Sequence, residues 1–186
     1  MPLDAGPIQS RFVDEDVRKA AACLRAKIGN PAVAMVTSTA VSCPPAGRPL
    51  LTQQLDDDGV LWFFVGSDGA LARGVQMDPR VSASYGDTLH GVYVAMSGHA
   101  RLVYDPDRIF ALWDDRVEAW FPEGPLDARL ALLRVEIDHA EYWDEHSNGS
   151  TRLRALAHAA LHRQPPPSAA EHRRLILRNG KNTSPA

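Results

Sequence analysis

A mainly β fold, an antiparallel barrel of six or seven strands with flanking helices, is predicted by three features of this 186-residue sequence. Strand-like segments recur at short spacing and are mostly joined by turns, and helical periodicity is confined to the ends and to short stretches between strands. The third feature is residues 48–65, RPLLTQQLDDDGVLWFFV, an alternating strand and an aromatic strand joined through Asp56-Asp57-Asp58-Gly59. Antiparallel neighbours can be joined by so tight a turn, whereas parallel ones need a long crossover. With 45% hydrophobic residues, the chain suffices for one domain with its own core and an appendage.

Val13, Val17, Ala20, Ala21, Leu24 and Ile28 recur at helical spacing, Asp14-Glu15-Asp16 put anions where a helix N-terminus favours them, and Gly29-Asn30-Pro31 ends the helix. Ala32 to Thr39, small and β-branched, is a first strand, and Ala40 to Gly47, with Cys43-Pro44-Pro45, is a loop. In the hairpin that follows, Gly59 supplies the positive φ that the turn needs. Gly66 to Gly69 turns the chain into a short helix, Ala70 to Met77, stopped by Asp78-Pro79. Val81 to Tyr85 and Val92 to Val103 are strands, the second long enough to bend around a barrel at Gly98. Asp105-Pro106 caps and opens a helix reaching Trp113, and Leu130 to Ile137 and Ala140 to Trp143 are the last strands.

Beyond them, Leu153, Leu156, Ala157, Ala160 and Leu161 suit an amphipathic helix over Thr151 to Arg163. Pro165-Pro166-Pro167 is a stiff break, followed by a shorter basic helix and a solvated arm whose removal after Gln164 is expected to leave stability unchanged. The expected division is a barrel domain, residues 1–148, and a helical, basic extension, residues 149–186.

The net charge of −3 excludes a chain that coats nucleic acid along its whole length, but the charge is uneven. Residues 150–186 carry seven cations against Glu171, a local +6, so an anionic partner such as nucleic acid is one use for the tail and a solvated arm the other. Two cysteines, Cys23 and Cys43, build no disulfide framework, and no leader or membrane-length apolar run is visible, so a reducing, cytoplasmic setting is expected. His158 and His162 lack a third ligand, which leaves no metal site expected.

Arg48 is a fixed cation held extended by Pro49, and Thr52, Gln53 and Gln54 offer uncharged donors and acceptors that could read the edge of a heterocycle. On composition alone the same residues make a surface arginine and a solvated strand face. Trp113, Trp120 and Phe121, with Pro122, Gly124 and Pro125, form a rigid aromatic corner that suits a core, a dimer interface or a ligand wall.

Several motifs together carry a resemblance. Arg48-Pro49-Leu50 to Gln54, Leu61-Trp62-Phe63-Phe64, Asp78-Pro79-Arg80-Val81, Tyr93-Val94 with Ser97-Gly98, Leu112-Trp113, Ala119-Trp120-Phe121-Pro122 and Ala140-Glu141-Tyr142-Trp143-Asp144 stand in the order, and near the spacing, of one family. Over about residues 12–145 the chain resembles the general-stress-protein branch of the pyridoxamine phosphate oxidase-like split β-barrel family. The resemblance implies a split-barrel homodimer holding FMN between its subunits. It implies that Arg48, Pro49, Leu50, Thr52 and Gln53 face the flavin and its phosphate arm, that Phe64 and Val65 line it, that Tyr93 comes from the partner chain, and that Trp143 is the flavin-contacting tryptophan.

Two departures modify those expectations. The family's phosphate-holding Ser and Lys correspond here to Gly69 and Leu71, which removes a charge-assisted contact worth about 1.5 to 3 kcal/mol. Arg73 or backbone N–H groups at the start of the 70–77 helix could reach the phosphate instead, and Leu71→Lys is expected to tighten FMN. The Arg-Leu-His motif of the true oxidases is Arg152-Leu153-Arg154, so pyridoxamine phosphate oxidation is not expected. The leading reading is a homodimeric FMN protein with oxidoreductase chemistry on an unspecified substrate. The competing one is a non-enzymatic module with a degenerate flavin pocket and a basic tail on an anionic partner.

Overall fold

The computed structural model describes residues 12–13, 17–40, 43–144 and 171–177. In chain order it contains β1 (Phe12–Val13), α1 (Val17–Ile28), β2 (Val33–Ala40), β3 (Cys43–Leu55), β4 (Val60–Gly66), α2 (Ala70–Met77), β5 (Arg80–Asp87), β6 (Val92–Val103), α3 (Pro106–Leu112), β7 (Leu130–Asp144) and β8 (Glu171–Ile176). Strict alternation makes the wall: Val81, Ala83 and Tyr85 of β5, and Val94 and Met96 of β6, are buried while their neighbours stay exposed or half-buried. β4 is buried on both faces. Leu61, Phe63 and Val65 enter the barrel core, while Val60, Trp62 and Phe64 enter a second cluster with Ile109, Val117, Leu130 and Leu132. That two-sided burial explains why β4 reads as one continuous apolar run.

The sheet order is β1-β8-β7-β4-β3-β2-β5-β6, and β6 also pairs with β7, closing six antiparallel strands into a barrel. The fold is the split β-barrel that the motifs implied. α1 and α2 pack on it through Ala20, Leu24, Leu71 and Val75. β7 makes closure possible because it is long: one edge meets β6 from Leu132 to Asp144, and the other meets β4 over its first half and β8 over its second.

The expected hairpin is present. Asp56 Oδ1 accepts from the N–H of Asp58 (3.1 Å) and of Val60 (2.9 Å), its Oδ2 accepts from Trp62 Nε1 (3.1 Å), and Gly59 sits at φ 75°. Gly98 also has a physical reason to be glycine. It faces β7 at a register shift, and a Cβ there would stand 2.0 Å from the Glu136 carbonyl oxygen.

Four expectations require correction. Cys43 to Gly47 is not loop but the first part of β3, paired to β2 from Ala40↔Cys43 to Thr37↔Gly47. Of its two adjacent prolines, one turns its missing N–H to the outer edge, which β4 joins only from Thr52 onward, and the other falls at the register shift between Ser38 and Ala40, where the ladder to β2 is interrupted. The two expected last strands are one, β7, which passes through the register shift opposite Ser97 and Gly98 without ending. Val13, expected in the first helix, belongs to β1.

The shorter basic helix after the prolines is instead β8, antiparallel to β7 and parallel to β1, with Leu175 buried, Ile176 half-buried, and Leu177, just past the end of the strand, buried again. β8 is therefore a packed strand of the sheet rather than a solvated arm. The helix expected over Thr151 to Arg163 lies outside the described residues. Among the described residues, no helix is long and apolar enough to cross a membrane.

Candidate ligand-binding groove

The outward residues of β2, β5 and β6 form an apolar surface that no part of the described chain covers. Val33 is 58% exposed, Met35 46% and Tyr93 42%. Register explains the grouping: Met35 lies opposite Pro49 of β3 and Ser84 of β5, Ser84 opposite Ala95, and Gly86 opposite Tyr93. Tyr93 in turn lies opposite Trp143. These residues line an open groove of about 440 Å³. A second hollow of about 290 Å³ shares Val33, Tyr85, Gly86 and Val94 with it and adds Lys27, Asp87 and Thr88.

Polar groups beneath the groove are paired. The Tyr85 and Thr52 hydroxyls share a buried hydrogen bond of 2.9 Å, and burial pushes the Tyr85 hydroxyl up to about 12. Lys27 donates to Asp144 and lies 4.9 Å above the Tyr142 ring, while the Tyr142 hydroxyl donates to Glu171 at 2.9 Å. Burial holds the Tyr142 hydroxyl well above its ordinary value.

A phenol whose ionisation is suppressed in the fold stabilises it fully below the unfolded value near 10, and loses that contribution as pH climbs toward 12. At about 1.4 kcal/mol per pH unit, Tyr85 accounts for roughly 3 kcal/mol lost across that window. Urea midpoints measured from pH 9 to 12 are expected to fall, and Tyr85→Phe is expected to flatten the fall. An unchanged slope in the variant would contradict the burial of this hydroxyl.

Of the residues singled out in the sequence, Pro49, Tyr93 and Trp143 line the groove of one chain. Arg48 is exposed beside Pro49, opposite Val36 on β2. Leu50 is half-buried against the barrel core, and Thr52 is buried inside it. Gln53 occupies the register shift of β3, with its Nε2 donating to the Leu51 carbonyl at 3.1 Å. Phe64 and Val65 cannot line one ligand together, because adjacent strand residues face opposite sides: Val65 enters the barrel core and Phe64 the second cluster.

Trp113 meets Phe64 edge-on at 5.6 Å in that second cluster, where Phe121 also packs, so neither adds to the groove of its own chain. Trp120 is 71% exposed and outside the groove. Arg73 donates to the Asp68 carbonyl. Leu71 is buried in the barrel core, so a lysine at that position would carry its charge into apolar packing; the expected gain from Leu71→Lys is replaced by an expected loss of stability.

Val33 and Met35 were not legible as site residues. In a run of small apolar residues nothing distinguishes the two faces until the pairing is known. Among the described residues, no three His, Cys, Asp or Glu side chains come together in a way that could hold a metal.

Residues 19–166 match the family model described as pyridoxamine 5'-phosphate oxidase like. The chain belongs to that family. Among solved structures, this family member is similar to a general stress FMN/FAD binding protein from Xanthomonas citri, with 30% identity over 70% of this chain and 89% of the other and a TM-score of 0.57. A protein described as general stress protein 26 from Jannaschia sp. CCS1 shares the fold at a TM-score of 0.65 and 22% identity, over 83% of this chain and 99% of that one. General stress protein 26 from Bacillus anthracis matches at a TM-score of 0.59 and 16% identity, over 66% of this chain and 92% of the other. Among curated proteins, none matches the sequence.

Proposed function

We propose that this pyridoxamine 5'-phosphate oxidase-like protein is a homodimeric flavoprotein of the general-stress type. FMN is its cofactor, and it performs oxidoreductase chemistry on a substrate still to be identified. The observation that carries the reading is the apolar, aromatic groove of Met35, Pro49, Tyr93 and Trp143 on the outside of the barrel. A flat heteroaromatic ring needs such walls. The FMN/FAD binding described for the Xanthomonas citri protein supports the same reading.

The residues present fit the two ends of the cofactor unequally. The ring end has aromatic and aliphatic walls. The phosphate end lacks the usual partners: Leu71 is buried in the core, and Gly69 caps α2 with no side-chain bond. Arg48, exposed on β3, and Arg73 are the cations we assign to the phosphate; as the strand neighbour of Pro49, Arg48 faces the other side of β3, so it would meet a phosphate arm that passes the strand and not one lying inside the groove. When bound, the flavin supplies the electron- and hydride-transfer chemistry. The chain binds and orients it. No carboxylate, lysine or histidine is among the residues lining the larger groove, so the groove's own contribution is shape and exclusion of water.

The homodimer part of the proposal follows from cost. Val33, Met35 and Tyr93 are large apolar groups left on the surface of a single chain, and a second copy would cover them while completing the groove. Of the aromatic corner, Trp113 and Phe121 are packed in their own chain, and Trp120, although exposed, stands outside the groove that a second copy would complete. The alternative, a basic tail that grips an anion, has less support. Arg173 is paired with Glu171, and Arg174 with Glu141, inside the sheet.

Sedimentation velocity followed at both 280 and 450 nm, after incubation with FMN, tests the proposal. The expected result is one boundary at the mass of a dimer that carries the yellow colour with it. A colourless boundary, or a monomer at micromolar concentration, would overturn the corresponding half.

A further inference from the structure

The family match ends at residue 166, yet β8, at Glu171–Ile176, meets the groove residue Trp143 through His172. His172 lies opposite Trp143, and the two rings stack with centroids 4.9 Å apart and planes within 6°. Trp143 lines the groove and His172 does not, so the indole stands between the imidazole and the space where a ligand would lie. One face of Trp143 is thereby occupied. Among the described residues, its other face and its edge are left for a ligand.

The stack is itself held in place. On the shared face of β7 and β8, Glu141 lies opposite Arg174, two residues from the Trp143–His172 pair on each strand. Glu141 accepts from Arg174 through Oε1, and its Oε2 lies 3.4 Å from His172 Nε2. Leu175, fully buried, anchors the strand that carries His172 and Arg174. A tryptophan at the rim of a groove would otherwise sample more than one rotamer, and fixing it before the ligand arrives lowers the ordering cost of binding.

We propose that His172 is a positioning residue for the ligand groove: β8 stacks it on the outer face of Trp143, so the indole is fixed as a one-sided wall for a planar heteroaromatic ligand. This inference rests on the flavin reading of the groove for the identity of that ligand. It extends the reading by making recognition depend on a segment beyond the residues that the family model covers.

The test uses the full chain and the variants His172→Ala, His172→Phe and Trp143→Phe, with riboflavin and FMN as probes. In ligand-free protein, the near-UV circular dichroism assigned to Trp143 by difference from Trp143→Phe should collapse in His172→Ala and return in His172→Phe, which keeps a flat ring in the stack. In titrations followed by flavin fluorescence, His172→Ala should weaken riboflavin and FMN about threefold to tenfold, and His172→Phe should bind within about twofold of the wild type. A Trp143 signal and flavin affinity unchanged in His172→Ala would overturn the inference while leaving the flavin reading intact. A phenylalanine variant no better than alanine would also overturn it, because the stack would then not be the active feature. A wild-type chain that binds neither flavin, but whose Trp143 signal follows His172, would uphold the positioning role and overturn the flavin reading.

Discussion

Ending the chain after Gln164 is expected to cost at least about 4 kcal/mol and to lower the urea midpoint sharply. The cut removes Leu175, fully buried, and Leu177, nearly so; losing a buried leucine side chain costs about 2 to 5 kcal/mol, and here two go together. It also strips β7 of its partner from His139 to Asp144 and leaves the Tyr142 hydroxyl without the Glu171 carboxylate that accepts from it. Against a total stability of about 5 to 15 kcal/mol, such a loss leaves a marginal protein. The basic composition of the segment points the other way, toward a dispensable arm. An unchanged midpoint in the shortened chain would favour composition over the packed strand.

Gly98→Ala is expected to cost about 3 kcal/mol or more, a drop of about 6 to 12 °C in Tm for a chain of this length. The new methyl would lie 2.0 Å from the Glu136 carbonyl oxygen and 2.9 Å from its carbon, so β6 and β7 must part where they close the barrel. Gly86→Ala is the matched control in the neighbouring strand β5. There a Cβ would approach nothing nearer than a Tyr93 ring carbon at 3.5 Å, an ordinary contact. Thermal melts of the two variants should differ by several degrees. Equal melts would mean that the close approach at Gly98 relaxes without cost.

The parts of the fold legible in the sequence are those set by local chemistry. Asp56 to Gly59 makes its turn with its own side chain and one positive φ, and Asp105 caps α3 through the Arg108 N–H at 3.2 Å, as the Asp-Pro pair predicts. What escaped was set by partners distant in sequence. Cys43 to Gly47 has the composition of a loop and becomes strand because β2 lies beside it, and β8 becomes strand because β7 offers a free edge. The candidate site divides in the same way. Pro49, Tyr93 and Trp143 stand in the ordered family motifs, although Tyr93 lines the groove of its own chain beside Trp143; Val33 and Met35 acquire meaning only from the cross-strand register, and His172 only from a strand whose basic composition suggests a helix. Aromatic composition cannot tell the wall of a groove from the inside of a second apolar cluster, which is where Phe64 and Trp113 lie.

The central claim, that the Tyr93–Trp143 groove holds a flavin ring, is tested most directly by titrating riboflavin into wild-type protein, Tyr93→Ala and Trp120→Ala. Riboflavin isolates the ring from the phosphate, for which the usual partners are missing. Tyr93→Ala should weaken binding about tenfold or more through loss of a stacking wall, while Trp120→Ala, outside the groove, should bind like the wild type. Wild-type affinity in Tyr93→Ala, with binding lost in Trp120→Ala, would place the ligand elsewhere and contradict the account.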